Sequence, residues 1–122
     1  MSDMAIEIGS KGLCEANLTI PQDTSLTFIV VHKDQEGHVI DHSESTAHMA
    51  FQTKDKRTTH QLDFCCTCTA ERIEVSIPAS VSETLPLGKM VWDLIVTTSH
   101  SEQVRLCYGS VSIVDSYAMD EE

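Results

Sequence analysis

The sequence predicts an all-β protein, built as a single antiparallel β-sandwich of about seven short strands with at most one short helix. Short apolar runs alternate with polar residues along most of the chain, which is the two-residue period of half-buried strands. Residues that form turns interrupt these runs at regular intervals. The length of 122 residues suits one domain, and a hydrophobic content of 41% is sufficient for a core. The strand number is that of an Ig-like sandwich.

A hairpin over residues 87–114 is the strongest signal, because two β-rich runs flank the polar loop 99–103. Alternation along the first run places four apolar side chains on one face: Met90, Trp92, Leu94 and Val96. Alternation along the second run places three side chains on one face: Val104, Leu106 and Tyr108. Trp92 is the only tryptophan and offers the largest area for burial, so we expect the hairpin to seed the core.

The remaining strands follow from the same alternation. We expect strands at residues 5–8, 18–20, 25–32, 46–52 and 72–77, and an irregular edge strand at 59–64. In the strand at 25–32, Leu26, Phe28 and Val30 share one face. Residues 79–85 are predicted to form a short helical turn, which Pro86 and Gly88 end.

The chain is expected to have three parts. Residues 1–16 form an N-terminal arm that is either loosely held or paired with a neighbouring subunit. Residues 17–115 form the sandwich, and residues 116–122 form an acidic tail that we expect to be disordered. The first residues lack a basic region before an apolar stretch, so no secretory signal is expected. The apolar runs are all shorter than the ~18 residues of a membrane span.

The net charge of −11 excludes two classes of partner. A surface with this excess of carboxylates repels the phosphates of nucleic acids, so nucleic-acid binding is not expected. Anionic membranes are disfavoured for the same reason. The charge favours solubility at high local concentration, without indicating which partner the protein binds.

Three of the five cysteines, Cys65, Cys66 and Cys68, lie close together, and thiolates at this spacing can bind a soft metal. A structural zinc site needs four ligands, usually as two separated pairs, and the sequence has no second pair of this kind. Alternation also directs Cys65 and Cys66 to opposite faces. We therefore expect reduced thiols in a strand or loop, with no metal and no cofactor.

Catalytic motifs are not found in the sequence. The six histidines form none of the spacings typical of metal sites, so we expect them at the surface. A pH-sensitive contact is the alternative role for them. They are His32, His38, His42, His48, His60 and His100. A nucleophile elbow and a glycine-rich phosphate loop are both missing. Asp93 is expected to accept hydrogen bonds from a neighbouring strand or loop, because a lone acid lacks the partner that acid–base catalysis needs.

A series of landmarks occurs in a fixed order between residues 18 and 114. A short strand and a turn that contains Asp23 and Thr24 lead into the apolar strand of Phe28. Residues 43–51 lead into another strand, which is followed by an alternating strand and a helical turn at 73–85. The order closes with the following residues of the hairpin: Gly88, Trp92, Asp93, Leu94 and Gly109 with its Gly-Ser-Val-Ser-Ile run.

In this order the landmarks resemble a small β-sandwich domain of structural proteins of tailed phages and prophages, related to the N-terminal domain of the baseplate upper protein. Gln22 stands where that pattern usually has glycine, and residues 53–70 do not match it well. The residues expected to shape the core and turns are Asp23, Thr24, Phe28, Trp92, Asp93, Leu94 and Gly109. The resemblance implies an adaptor or connector in a virion, without catalysis.

Three functions remain under consideration. The first is a non-enzymatic structural protein of a bacteriophage or prophage particle, in the baseplate, tail, fibre adaptor or as a virion-decorating subunit. It is made in the host cytoplasm, contacts other phage structural proteins, and is present as a homo-oligomer or in repeated copies. The second is a carbohydrate- or receptor-binding module, which usually needs exposed aromatic residues, and the sequence has only six aromatics. The third is a metal-dependent enzyme that uses the cysteine cluster.

Overall fold

The computed structural model describes residues 4–8 and 14–115, of which only the backbone is described for 4–8. Two sheets pack face to face, so the prediction of an all-β sandwich is confirmed. The described residues form ten strands, a 3-10 turn at Asp63–Cys65 and the one-turn helix α1 at Ala79–Ser82. The strands are β1 (Met4–Ile8), β2 (Cys14–Glu15), β3 (Leu18–Pro21), β4 (Leu26–His32), β5 (Thr46–Gln52), β6 (Thr59–Gln61), β7 (Cys66–Cys68), β8 (Ile73–Ile77), β9 (Gly88–Thr97) and β10 (Gln103–Val114).

One sheet has the strand order β1-β4-β8-β7, and the other has the order β2-β10-β9-β5-β6, with β3 also paired to β10. The pairs that join β4 to β8, β7 to β8, β5 to β6, β5 to β9 and β9 to β10 are antiparallel. The pairs of β1 with β4, and of β2 and β3 with β10, are parallel. Alternation predicts where strands lie but not which strand each one pairs with, so the sequence did not indicate these parallel pairs.

The N-terminal residues contribute to both sheets. Met4–Ile8 lies beside β4 in the first sheet, and Cys14–Glu15 lies beside β10 in the second. The predicted turn at 9–12 and the predicted acidic tail at 116–122 lie outside the described residues. The division into arm, sandwich and tail therefore stays a prediction.

The core lies between the sheets and is filled by the inward residues of each alternating strand. Phe28, Met49, Phe51 and Leu94 are fully buried, and Trp92 is 3% exposed. The Trp92 ring meets the Phe28 ring edge to face, with centroids 6.0 Å apart. Within the described parts of the chain, the helices are too short and too polar to cross a membrane.

The prediction that Val104, Leu106 and Tyr108 share one face of β10 was wrong. The register with β9 shifts between Arg105 and Cys107, so the strand contains a β-bulge. Leu106 and its neighbour Cys107 are both buried, whereas Tyr108 is exposed. The sequence carried a signal of the bulge, because the apolar positions of the run change from even to odd numbers after Leu106.

Candidate functional site

Trp92 and Gly109 lie opposite each other in the β9–β10 hairpin and meet the backbone of Ala16. The indole Nε1 of Trp92 donates a hydrogen bond of 2.8 Å to the carbonyl oxygen of Ala16. A Cβ atom on residue 109 would collide with this carbonyl group, so glycine is what lets Ala16 approach. The Asn17 side chain accepts hydrogen bonds from the backbone and hydroxyl of Ser110. These contacts hold the segment before β3 against the hairpin.

Asp23 and Thr24 lie in the turn between β3 and β4, where Asp23 has a left-handed φ of 66°. The Thr24 hydroxyl donates to the carbonyl of Pro21 at 2.6 Å. The buried Ser82 of α1 donates its hydroxyl to the carbonyl of Thr24 at 2.7 Å. Gln22, which stands in the place of the usual glycine, donates its side-chain amide to the Leu85 carbonyl at 2.8 Å. The turn is thereby fixed to α1 and closes one end of the sandwich.

The outer face of the six-stranded sheet carries a groove of about 570 Å³. Val91, Asp93, Arg105 and Tyr108 line it, together with residues near Ala16. Asp93 lies 3.6 Å from the Arg105 guanidinium, measured between Oδ2 and Nη2. Sequence reasoning expected Asp93 to be a hydrogen-bond acceptor, and the structure gives it a partly exposed ion pair across the hairpin. Such a pair contributes little to stability in water.

Phe64 is the most exposed of the large apolar side chains in the described chain, at 70%. It lies at the centre of the 3-10 turn Asp63–Cys65, which joins β6 at the edge of one sheet to β7 at the edge of the other. The nearby apolar residues Leu62 and Cys65 are both buried. The turn therefore directs the Phe64 ring outward, while Cys65 within the turn and Leu62 before it point into the core.

Asp63 fixes this turn to β5. Its Oδ1 accepts hydrogen bonds from the backbone amide of Met49 at 3.0 Å and from the Gln61 side chain at 2.7 Å. Its Oδ2 lies 2.9 Å from Nδ1 of His48. Partial burial is the largest single effect and opposes the carboxylate, but these hydrogen bonds and the charge of His48 when protonated together outweigh it, so the pKa of Asp63 is lowered. The turn that carries the exposed ring of Phe64 is thus tied to β5 by hydrogen bonds of Asp63. Sequence reasoning placed an irregular edge strand here and gave no role to Phe64.

The expectation that the histidines are surface residues was wrong for His32 and His42. Both are buried, at 9% and 4% exposure, and their rings stack with centroids 5.3 Å apart. His32 Nδ1 lies 3.1 Å from His42 Nε2, and His42 Nδ1 lies 3.0 Å from the Ser45 hydroxyl. Burial, followed by the neighbouring His42, lowers the pKa of His32. Burial also lowers the pKa of His42, with a smaller opposing effect from Asp41.

We expect the histidine pair to make stability fall as the pH drops below about 6.5, the ordinary histidine pKa. The unfolded chain then binds protons that the folded chain excludes, so acid favours unfolding, whereas above that pH the full stability is present. Chemical denaturation at pH 7.5 and pH 5.5 measures the difference. The difference in stability between the two pH values should be smaller for the His42→Gln variant than for the wild type. The matched control His100→Gln, at an exposed position, should show the same difference as the wild type. An equal pH response in His42→Gln and wild type would contradict this assignment. Four carboxyl groups also have lowered pKa values, and the stability that they contribute is lost in a separate pH range, near pH 4 and below. These are Asp34, Asp41, Asp55 and Asp63.

The clustered cysteines lie at the edge of the four-stranded sheet. Cys65 is buried, and Cys66 and Cys68 are half-buried in β7. Burial, followed by the nearby Cys65, Asp63 and Cys68, raises the pKa of Cys66 to about 12, so its thiol stays protonated at neutral pH. Within residues 14–115, the one group of three possible metal ligands that converges is Asp34, Glu36 and His38 on an exposed turn. Asp34 already accepts the backbone amides of the other two, which is ordinary turn geometry.

The sequence matches no protein-family model, and no curated protein matches it significantly. Among solved structures, the fold is similar to that of the N-terminal domain of phage TP901-1 ORF48, with a TM-score of 0.56 and 5% sequence identity. The similarity covers 94% of this chain and 100% of that domain. This chain therefore shares the fold of that domain over nearly its whole length.

Proposed function

We propose that this chain is a non-enzymatic structural component of a bacteriophage or prophage particle and acts through contacts with other particle proteins. The observation that carries the proposal is the shared fold with a phage domain over 94% of the chain. The order of landmarks from Asp23 to Gly109 supports the same assignment independently of the coordinates. The proposed place of action is the virion, in the baseplate, tail, a fibre adaptor or a decorating subunit, after synthesis in the host cytoplasm.

Phe64 supports a role in protein–protein contacts. An exposed phenylalanine ring recovers free energy when a partner covers it, at about 25 cal/mol for each Å² buried. The Asp63 hydrogen bonds fix the backbone of the turn that carries the ring, so less backbone entropy is lost on docking. Among the described strands, β6 and β7 are the outermost strands of their sheets on either side of the turn, and such edges can accept a strand from a neighbouring protein. We name the surface formed by β6, the turn Asp63–Cys65 and β7 the Phe64 edge.

The three-part division of the chain fits this role. We propose that residues 17–115 form the body of the subunit and residues 1–16 an arm that helps to hold it, since Met4–Ile8 already adds a strand to the first sheet. Repeated copies and contacts with other virion proteins belong to the same proposal. The acidic surface, with a net charge of −11, would limit association between free subunits before assembly.

Incorporation into particles tests both the function and the surface. The phage that encodes the chain would be made with wild-type, Phe64→Asp or Leu87→Asp protein, and purified particles would be analysed by quantitative mass spectrometry. We expect wild type and Leu87→Asp at equal copy number, and at least a tenfold loss of Phe64→Asp, because a desolvated carboxylate weakens an apolar contact strongly. Leu87 is a matched control, as it is 54% exposed and lies outside the Phe64 edge.

The outcomes of this experiment separate two failures. Particles that lack the wild-type chain would overturn the proposed function. Particles that contain Phe64→Asp at the wild-type level would overturn the role of the Phe64 edge alone. Circular dichroism of the purified variants would establish that all three chains are folded.

The alternative of a carbohydrate- or receptor-binding module rests on a single feature. Tyr108 is 38% exposed in the groove beside Asp93 and Arg105, where an aromatic ring and polar groups occur together. Phe64, the other exposed aromatic residue of the described chain, lies on a different strand connection. The alternative stays a prediction, and the phage-like fold favours the structural role.

A further inference from the structure

Two cysteines that are far apart in sequence lie side by side in the six-stranded sheet. Cys14 of β2 and Cys107 of β10 are directly paired in the parallel register of these strands. The backbone amide of Ala16 donates to the carbonyl of Tyr108 at 2.9 Å, one residue beyond the pair, and thereby fixes the register. Neighbouring strands lie about 4.8 Å apart, which falls within the separation of Cα atoms that a disulfide bond spans.

Both thiols also lie on the same face of the sheet. Cys107 is fully buried, and the half-buried Cys14 packs against the same core, whereas the next residues, Glu15 and Tyr108, are both exposed. Paired residues on adjacent strands project to the same side, so the two sulfur atoms face a common space. Cys14 Sγ makes only a long contact of 3.8 Å with the carbonyl of Glu15, which a new bond would replace at little cost.

We propose that Cys14 and Cys107 form a disulfide bond under oxidising conditions, which ties the N-terminal segment to the β9–β10 hairpin. The inference concerns the chemistry of these two thiols and does not depend on the proposed function. Both thiols are reduced in the described structure, as they would be in a reducing cytoplasm. Oxidation outside a cell would close a loop that contains most of the chain, which raises stability by restricting the unfolded state.

The oxidant in this proposal is a small-molecule disulfide such as oxidised glutathione. The Cys14 thiolate, the more exposed of the two, attacks one sulfur of glutathione disulfide and releases one glutathione thiolate. The Cys107 thiolate then attacks the Cys14 sulfur, forms the Cys14–Cys107 bond and releases the second glutathione. Two protein thiols lose two protons and two electrons, and one glutathione disulfide becomes two glutathione thiols. Burial raises the pKa of Cys107 to about 12, so the second step should be slow and faster at higher pH.

Trypsin separates the cysteines cleanly, which makes the bond easy to identify. Cleavage after Lys11, Lys33, Arg57, Arg72 and Arg105 places the cysteines on three peptides, which span residues 12–33, 58–72 and 106–122. The reduced, folded protein would be incubated with oxidised glutathione at pH 8.5, blocked with N-ethylmaleimide, then denatured, digested and analysed by mass spectrometry without reduction. We expect peptide 12–33 joined to peptide 106–122, and a melting temperature several degrees above that of the reduced protein.

Two variants keep the test decisive. Cys14→Ser, a conservative change at a half-buried position, should fold normally and show neither the linked peptides nor the rise in melting temperature. The double variant Cys66→Ser, Cys68→Ser should retain the linked peptides and the rise in melting temperature, because these two thiols lie in the four-stranded sheet. The proposal is overturned if Cys14 stays fully accessible to N-ethylmaleimide, or if Cys14 and Cys107 link only to peptide 58–72.

Discussion

Replacing Trp92 with alanine is expected to lower the free energy of unfolding by about 3–5 kcal/mol, as large truncations in a core do. Trp92 is 3% exposed and packs edge to face on Phe28, so its loss leaves a cavity between the two sheets. It also leaves the carbonyl of Ala16 without its indole donor. Urea denaturation followed by far-ultraviolet circular dichroism measures the change without depending on tryptophan fluorescence.

Trp92→Phe is the matched control for the hydrogen bond. Phenylalanine keeps an aromatic ring in the core but has no N–H group. We therefore expect Trp92→Phe to lower the free energy of unfolding much less than Trp92→Ala does, with about 1 kcal/mol of its effect due to the lost hydrogen bond. A Trp92→Ala protein with the stability of the wild type would show that the hairpin is not the centre of the core.

Gly109→Ala is expected to cost about 3 kcal/mol or more, although it adds only one methyl group. The new Cβ would lie 2.8 Å from the carbonyl carbon of Ala16, and closer still to the carbonyl oxygen. The backbone before β3 would have to move away, which would break the hydrogen bond from Trp92 and disturb those between Asn17 and Ser110. Thermal and urea denaturation of the variant test the size of this effect.

Gly37→Ala is the comparison for this change. Gly37 has a φ of 88°, but a Cβ added there meets nothing within 4 Å. Its replacement should therefore lower the free energy of unfolding by roughly 1–2 kcal/mol, which is what a residue with a Cβ atom needs to adopt the left-handed conformation. If Gly109→Ala were no more destabilising than Gly37→Ala, the close approach of Ala16 would not be important for stability.

The local features of the fold could be predicted from the sequence. The inward positions Phe28, Met49, Trp92 and Leu94 follow from alternation, and the short helical turn α1 follows from its place between Pro78 and Pro86. Partners that are distant in sequence could not be predicted in this way. The parallel pairing of β1, β2 and β3 depends on contacts across the whole chain, for which a single sequence carries no periodic signal.

Less of the candidate site could be predicted. His32 and His42 occur in or beside polar segments, and only the folded loop between β4 and β5 brings their rings together in a buried stack. Phe64 ends the irregular edge strand predicted at 59–64, but the strand stops at Gln61 and the 3-10 turn rotates Phe64 outward while Leu62 and Cys65 turn inward. Trp92 was singled out as the only tryptophan and Gly109 from the resemblance to the phage domain, yet their common contact with Ala16 became apparent only in three dimensions.

The bulge at Leu106 determines where this chain can change in length. Because Leu106 is the unpaired residue of the bulge, its deletion would leave Arg105 and Cys107 paired with the consecutive residues Ile95 and Leu94, and Val111 and Ile113 would stay inward. A deletion or insertion within the loop 99–102 leaves the inward and outward positions of both strands unchanged. A one-residue insertion or deletion between Cys107 and Val114 would instead shift this strand past β9 and turn inward residues outward. Changes of length in this hairpin should therefore be tolerated at its tip and rejected beyond the bulge.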